Sequence, residues 1–282
     1  MDITSPASEG LGAAPARSPA PLPQTLKPPR FGGVRTISAL MLREMESTYG
    51  RQPGGYIWAI LQPVGMIVLL SLAFSMLVKK PPLGTSFIFF YASGFLPFDI
   101  YTSMSAKISG ALMYSRPLLA YPRVTWVDTI LARLLLNALT ALMVFFIVIL
   151  GIMMLYETRA RIDLGPLLTG LGMAITLGTG VGLVNCVLIG LYPVWGIIWG
   201  ILSRPLFLGS GVLFLLEDMP SNIQHFLLWN PLIHVAGLVR RGLFSTYDAP
   251  YVSLSYGYGV GLLLCTVGLI FLRAHYKTVL QQ

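Results

Sequence analysis

Charge is scarce in this chain. Only 11% of its 282 residues are Asp, Glu, Lys or Arg, where soluble domains carry about a quarter. Hydrophobic residues make up 55%, and the mean hydropathy is +0.73. A water-soluble core as the main body is thereby excluded. The two cysteines, Cys186 and Cys265, both fall inside apolar runs, which excludes a disulfide framework. No G-x-x-x-x-G-K-[ST] occurs, so the chain cannot hold ATP in a P-loop by itself. There is no H-E-x-x-H and no Cys/His cluster to suggest a metal, and His225, His234 and His275 are unlinked by spacing. Glu44 with Glu46, and Glu217 with Asp218, read as isolated surface pairs rather than paired acid–base carboxylates. We expect no catalytic residue, no metal and no cofactor in this chain.

The net charge is +8, from 19 basic and 11 acidic residues. The basic residues are scattered among apolar runs, and no basic cluster interleaved with aromatics exists to grip a phosphate backbone, so nucleic acid is not an expected partner. Residues 1–33 are rich in Pro, Ala and Ser and lack a continuous apolar segment. They read as a disordered cytoplasmic tail, without the hydrophobic stretch of a signal peptide.

The remaining residues, 34–282, read as one all-α integral membrane domain. Six segments have the roughly twenty apolar residues that a crossing needs: 56–78, 87–113, 129–156, 166–191, 195–216 and 251–272. The second is interrupted by Pro97, Asp99 and Lys107, and a helix broken around Pro97, with Asp99 capping the break, is the alternative there. With the N-terminus inside, thirteen Lys and Arg fall on the inner side and six on the outer, which places both termini in the cytoplasm. That count assigns Lys107, Arg133 and Arg204 to inner helix ends, with Arg133 snorkelling or pairing locally with Asp128. In the fourth segment Gly170, Ala174, Gly178, Gly182, Cys186 and Gly190 recur every four residues, a thin face for close helix packing.

Ahead of the first crossing, Leu40, Met41, Met45, Thr48 and Tyr49 repeat at spacings of three and four, with Arg43, Glu44 and Glu46 largely off that stripe. This is the pattern of a helix lying in the membrane interface. Gln52-Pro53-Gly54-Gly55 ends it, and Tyr56 and Trp58 stand where aromatic anchors mark a boundary. Between the fifth and sixth crossings, in residues 217–241, the core Ile223–Val239 is too apolar for an exposed loop, yet Asn230-Pro231 divides it into halves too short to span. A re-entrant helical hairpin on the periplasmic side fits, with Trp229 at headgroup depth and Arg240 and Arg241 flanking it. An amphipathic interfacial hairpin is the alternative.

Three blocks of sequence resemble the capsule-export branch of the ABC-type polysaccharide-export permeases. They are Arg43-Glu44 through YGRQPGGYIWAILQP; SGFLPFDIY…ALMYSRPLLAYPRVTWVDTILAR; and RPLFLGSGVLFLLEDMP…LLWNPLIHVAGLVRRGLFSTY. One departure is Gln62, where an acidic residue is expected before the proline. The resemblance implies a permease subunit of the bacterial inner membrane that exports a lipid-anchored, often acidic, capsular polysaccharide. It implies a pore made with a second copy of the chain, and two separate ATP-binding subunits that hold ATP and Mg. It further implies a periplasmic polysaccharide co-polymerase and an outer-membrane export protein as partners. In that setting Arg43, Tyr49, Arg51, Tyr56 and Trp58 offer cations and aromatic faces to an acidic glycan at the inner mouth. The stiff inner loop Ser115–Val124, with Arg116, Pro117, Tyr121, Pro122 and Arg123, couples to the ATPases. Trp229, Asn230, Pro231, Arg240 and Arg241 form an outer gate. Export of O-antigen or teichoic-acid polymers, or of a small molecule, is the nearest alternative. A lipid-linked sugar transferase would need a loop of acidic catalytic residues, and a proton-coupled transporter would need internal repeats and membrane carboxylates; neither pattern is seen.

Overall fold

Helix after helix follows from long apolar runs punctuated by capping residues. The computed structural model describes residues 32–49, 54–119, 124–158 and 162–281, and among them there are ten α-helices, one 3-10 turn and no strand. All of these elements belong to one compact unit, Gly33–Gln282, apart from Gly32, the first residue of α1. Of the tail expected over residues 1–33, Gly32 and Gly33 stand in the first turn of the first helix, and residues 1–31 lie outside the described residues.

The N-terminal amphipathic helix is α1, Gly32–Tyr49. Next come α2, Ile57–Ser75, and α3, Phe87–Ser109, whose start is capped by the Ser86 hydroxyl. A short helix, α4, Ala111–Leu119, leads toward α5, Trp126–Leu155. Thr125 and Asp128 form a reciprocal capping box at the start of α5, satisfying two backbone donors the helix leaves free. α6, Leu164–Leu191, is capped by Asp163, and α7, Val194–Leu208, follows after Tyr192-Pro193. The 3-10 turn Leu216–Asp218 precedes α8, Ser221–Leu227, and α9, Pro231–Leu243, with α10, Leu254–Gln281, last.

Among the described residues four helices are long and apolar enough to cross a membrane: α2, α5, α6 and α10. α3 has 23 residues, yet Pro97, Asp99 and Lys107 dilute its apolarity. It nonetheless runs unbroken through Pro97 and is well enclosed, with Phe89, Phe90, Tyr91, Ala92 and Met104 all buried. Asp99 therefore caps no break. The fifth expected crossing is shortened: α7 has 15 residues, about 22 Å long where a hydrocarbon core is about 30 Å thick. The remaining apolar residues, from Gly209 on, leave the helix at a turn with Gly211 at φ +72°.

Helix directions can be read from close contacts. A Cβ on Gly178 of α6 would meet Tyr101 of α3 at 2.7 Å, and one on Gly182 would meet Ser105 and Ile108, so α3 and α6 run the same way. A Cβ on Gly180 would meet Gly261 of α10, and one on Gly268 of α10 would meet Leu183 of α6, so α10 runs with them too. The small-residue face of α6 thus packs within the chain, against α3, α9 and α10. α2 opposes α3, since the Phe74 and Tyr91 rings meet at 5.2 Å at one end while Trp58 and Gln62 share a cavity with Asp99 and Ser103 at the other. α5 opposes α3 as well, with Arg133 at the α3 end and Phe145 near Leu96. Alternating direction is what consecutive membrane crossings require.

Candidate functional site

One end of the bundle gathers the start of α2, the end of α3, α4, the start of α5 and the end of α10, where Trp126 and Tyr276 stack at 6.1 Å. α1 is fastened here by a buried ion pair. Arg133 of α5 meets Glu44 of α1 at 3.0 Å, and their side chains are 8% and 7% exposed. Arg133 also donates to the Lys107 carbonyl at 2.7 Å, and its guanidinium lies 4.2 Å over the Tyr114 ring of α4. The Tyr114 hydroxyl in turn bonds Ser47 of α1. One guanidinium thus joins four helices. Arg133 neither snorkels nor pairs with Asp128, which is spent on the capping box. Glu44 is buried and is no surface carboxylate, because it faces the bundle four residues from Leu40.

Arg43 stays exposed at the rim of the cleft between α1, α4 and α5, and Tyr49 is the last residue of α1. Tyr56 precedes α2, and Trp58 is 52% exposed on its first turn. Trp58, Gln62, Asp99, Ser103, Lys107, Asn137 and Thr140 line a cavity of about 290 Å³ between α2, α3 and α5. Of the expected inner coupling loop, residues 115–119 are not loop but the end of α4, with Arg116 and Pro117 exposed on it. Arg51, Tyr121, Pro122 and Arg123 lie outside the described residues.

At the opposite end Asn230-Pro231 does divide two helices, α8 and α9. Asn230 caps α9 by accepting from the Leu232 amide at 3.1 Å, and its side-chain amide donates to the Gly209 carbonyl at 2.8 Å. Pro231 occupies the first turn, where its missing N–H costs nothing. Trp229 is 78% exposed, whereas Arg240 is 1% exposed and does not flank the segment as a surface charge. Its guanidinium donates to the Phe214 and Val212 carbonyls at 3.0 and 3.1 Å and lies 4.4 Å over the Phe90 ring. Asn230 and Arg240 therefore satisfy the backbone that α7 frees when it ends early. Non-helical backbone inside a membrane domain is tolerated only when protein supplies such partners. Arg241 is exposed, 4.0 Å from an exposed Asp248, a pairing of little energetic weight. Tyr247 donates to Glu217 at 3.0 Å, and burial, together with Tyr251 and Glu217 beside it, pushes its phenol pKa above the ordinary range.

Sequence reasoning took Glu44 for a surface carboxylate and Arg133 for a snorkelling or locally paired charge, and it passed over Asn137 and Thr140. Glu44 had one usable signal: it falls four residues from both Leu40 and Thr48. Among the described residues no His, Cys, Asp and Glu cluster could hold a metal.

Comparison with known proteins places this architecture. Residues 35–244 match the model of the ABC-2 type transporter family. The chain is 32% identical over 245 residues to the polysialic acid transport protein KpsM of Escherichia coli, covering 87% of this chain and 95% of that protein. It is 27% identical over 245 residues to the capsule polysaccharide export inner-membrane protein BexB of Haemophilus influenzae, covering 87% and 92%. It is also 24% identical over 242 residues to CtrC, another capsule polysaccharide export inner-membrane protein, from Neisseria meningitidis serogroup A, covering 84% and 88%. The chain belongs to the ABC-2 type transporter family of membrane proteins.

Proposed function

We propose that this chain is the membrane permease subunit of an ATP-driven exporter that moves lipid-anchored capsular polysaccharide from the cytoplasmic side across the bacterial inner membrane. The observation that carries this reading is likeness, over most of the chain, to proteins named for polysialic acid transport and capsule polysaccharide export. In it, both termini face the cytoplasm. The six crossings are α2, α3, α5, α6, α7 with its non-helical continuation, and α10, and the alternation of helix directions supports that count. α8 and α9 form the re-entrant hairpin at the periplasmic end. α9 lies along the first turns of α6, where a Cβ on Gly170 would meet Leu238 and Val239, and this burial favours a re-entrant over an interfacial hairpin.

Two copies form the pore, and two separate ATP-binding subunits hold ATP and Mg and supply the energy. α1 and α4 receive their motion and pass it to α5 through Glu44 and Arg133. The hairpin meets the periplasmic polysaccharide co-polymerase, which leads to the outer-membrane export protein. Expression of this chain with its ATP-binding subunit in a cell lacking its own capsule permease is expected to restore surface polymer. The purified chain alone is expected to hydrolyse no ATP. Hydrolysis by the lone chain, or failure of the pair to restore polymer, overturns the reading.

A further inference from the structure

The cavity between α2, α3 and α5 brings Gln62, Asp99, Ser103, Lys107, Asn137 and Thr140 together in a lining that is otherwise apolar. On α3, Asp99, Ser103 and Lys107 recur every four residues and so share one face; on α5, Asn137 and Thr140 oppose them, and Gln62 of α2 closes the third side. The Asn137 amide donates to the Arg133 carbonyl, leaving its oxygen open, and Ser103 donates to Ile100. Among the described residues, the side chains of Gln62, Asp99, Lys107 and Thr140 have no hydrogen-bond or ion-pair partner. Unpaired charge in a membrane-spanning helix is costly and is characteristically kept for a ligand or an aqueous path. Asp99 and Lys107 are eight residues apart, so their Cα atoms are separated by about 12 Å along the helix axis, and the two side chains form no ion pair. They do not neutralise each other.

We infer that this cavity is a binding site for an acidic sugar head group. Asp99, Asn137 and Gln62 take its hydroxyls, and Lys107, two turns further along α3, takes its carboxylate or phosphate. The planar carboxylate and amide groups suit vicinal hydroxyls, and Trp58 at the margin offers an indole face for a sugar ring. At about 290 Å³ the cavity is at the small end of ligand pockets, roughly 300–1,000 Å³. It therefore fits a head group or one or two sugar residues rather than a polymer in transit. The proposal rests on the export reading and adds to it a recognition step at the end of the bundle where α1 and α4 meet. The acidic sugar could belong to a lipid-linked head or to the polymer chain, and the same groups would hold either.

The test uses the full chain with its ATP-binding subunit in nanodiscs. A photoactivatable glucuronosyl diacylglycerol is crosslinked and mapped, with competition by unlabelled glucuronosyl diacylglycerol, by a glucuronic-acid tetrasaccharide and by phosphatidylglycerol. Labelling is expected on α2, α3 and α5 peptides. Lys107→Gln and Asp99→Asn are each expected to weaken binding about tenfold, and Lys107→Arg to retain it. Competition by the glycolipid alone assigns the site to the lipid-linked head, and equal competition by the tetrasaccharide assigns it to the polymer. Equal competition by phosphatidylglycerol, labelling elsewhere, or unchanged affinity in both variants overturns the site. Cellular export separates the two ideas. A wild-type complex that restores surface polymer while both variants bind and export normally leaves the export reading standing and removes this site. A wild-type complex that restores none removes the export reading, while the labelling result still decides the site.

Discussion

Arg133 and Arg240 show two uses of a buried guanidinium. Arg133 neutralises a buried carboxylate on a helix 89 residues away in sequence, while Arg240 serves backbone carbonyls and an aromatic face and forms no ion pair among the described residues. Removing one member of a buried pair strands the other, at about 3–5 kcal/mol. Arg133→Gln is therefore expected to lower the thermal unfolding temperature in detergent and to open α1 to protease. Glu44→Gln is expected to do the same more mildly, since it leaves an acceptor in place. Protease resistance of α1 equal to wild type in Arg133→Gln would dissolve the junction. Arg240→Leu leaves two carbonyls without donors, at roughly 1–3 kcal/mol each. Lysine cannot replace the planar fork that serves both carbonyls and stacks on Phe90, so Arg240→Lys should also lose most of the stability. Thermal melts of the two variants check this, and a melt of Arg240→Lys matching wild type would refute it. Neither role was legible in the sequence, because each partner sits 19 or more residues away and a lone arginine beside an apolar run looks like a flank.

The elements were legible where length and apolarity suffice. α2, α5, α6 and α10 follow from their runs, and α8 and α9 from the Asn230-Pro231 break. α7 was overread: the residues after Leu208 stay apolar, and apolarity alone does not separate a helix from extended backbone buried in protein. The signal that helix ends there is Gly209 with Gly211, but the partners that make ending affordable come from Asn230 and Arg240. α4 was missed because Pro117 suggested a stiff loop, although the helix runs through it and ends two residues later. The α8–α9 break belongs to Asn230 more than to Pro231. Asn230→Ala loses both the cap and the bond to Gly209, at about 1–2 kcal/mol, and is expected to reduce surface polymer. Pro231→Leu keeps both bonds and is expected to be milder. Accessibility labelling of Ile223 and Trp229 in both variants reads the geometry directly, and the reverse ranking would assign the break to the proline.

Across the whole molecule, the least enclosed helix is α7, which has no buried residue among those described. Ile197 and Ile201 are 69% and 62% exposed, and a Cβ on Gly200 would meet nothing within 4 Å. Arg204, assigned from sequence to an inner helix end, instead sits past the middle of α7. It is exposed and has no ion-pair or hydrogen-bond partner among the described residues. An arginine facing lipid there would cost at least about 2.5 kcal/mol. The face of α7 that carries it should therefore look onto water or a second copy rather than acyl chains. With Gly196 and Gly200 four residues apart, that copy could approach closely. In the export reading this puts a cation beside the path of an acidic polymer. Cysteine at Ile201 is expected to crosslink between copies. Arg204→Lys is expected to retain surface polymer, and Arg204→Glu to reduce it severalfold while leaving binding of the ATP-binding subunit unchanged. Lipid-restricted spin-label contact at Ile201, with normal surface polymer in Arg204→Glu, would turn α7 outward and move the path to another face of the bundle.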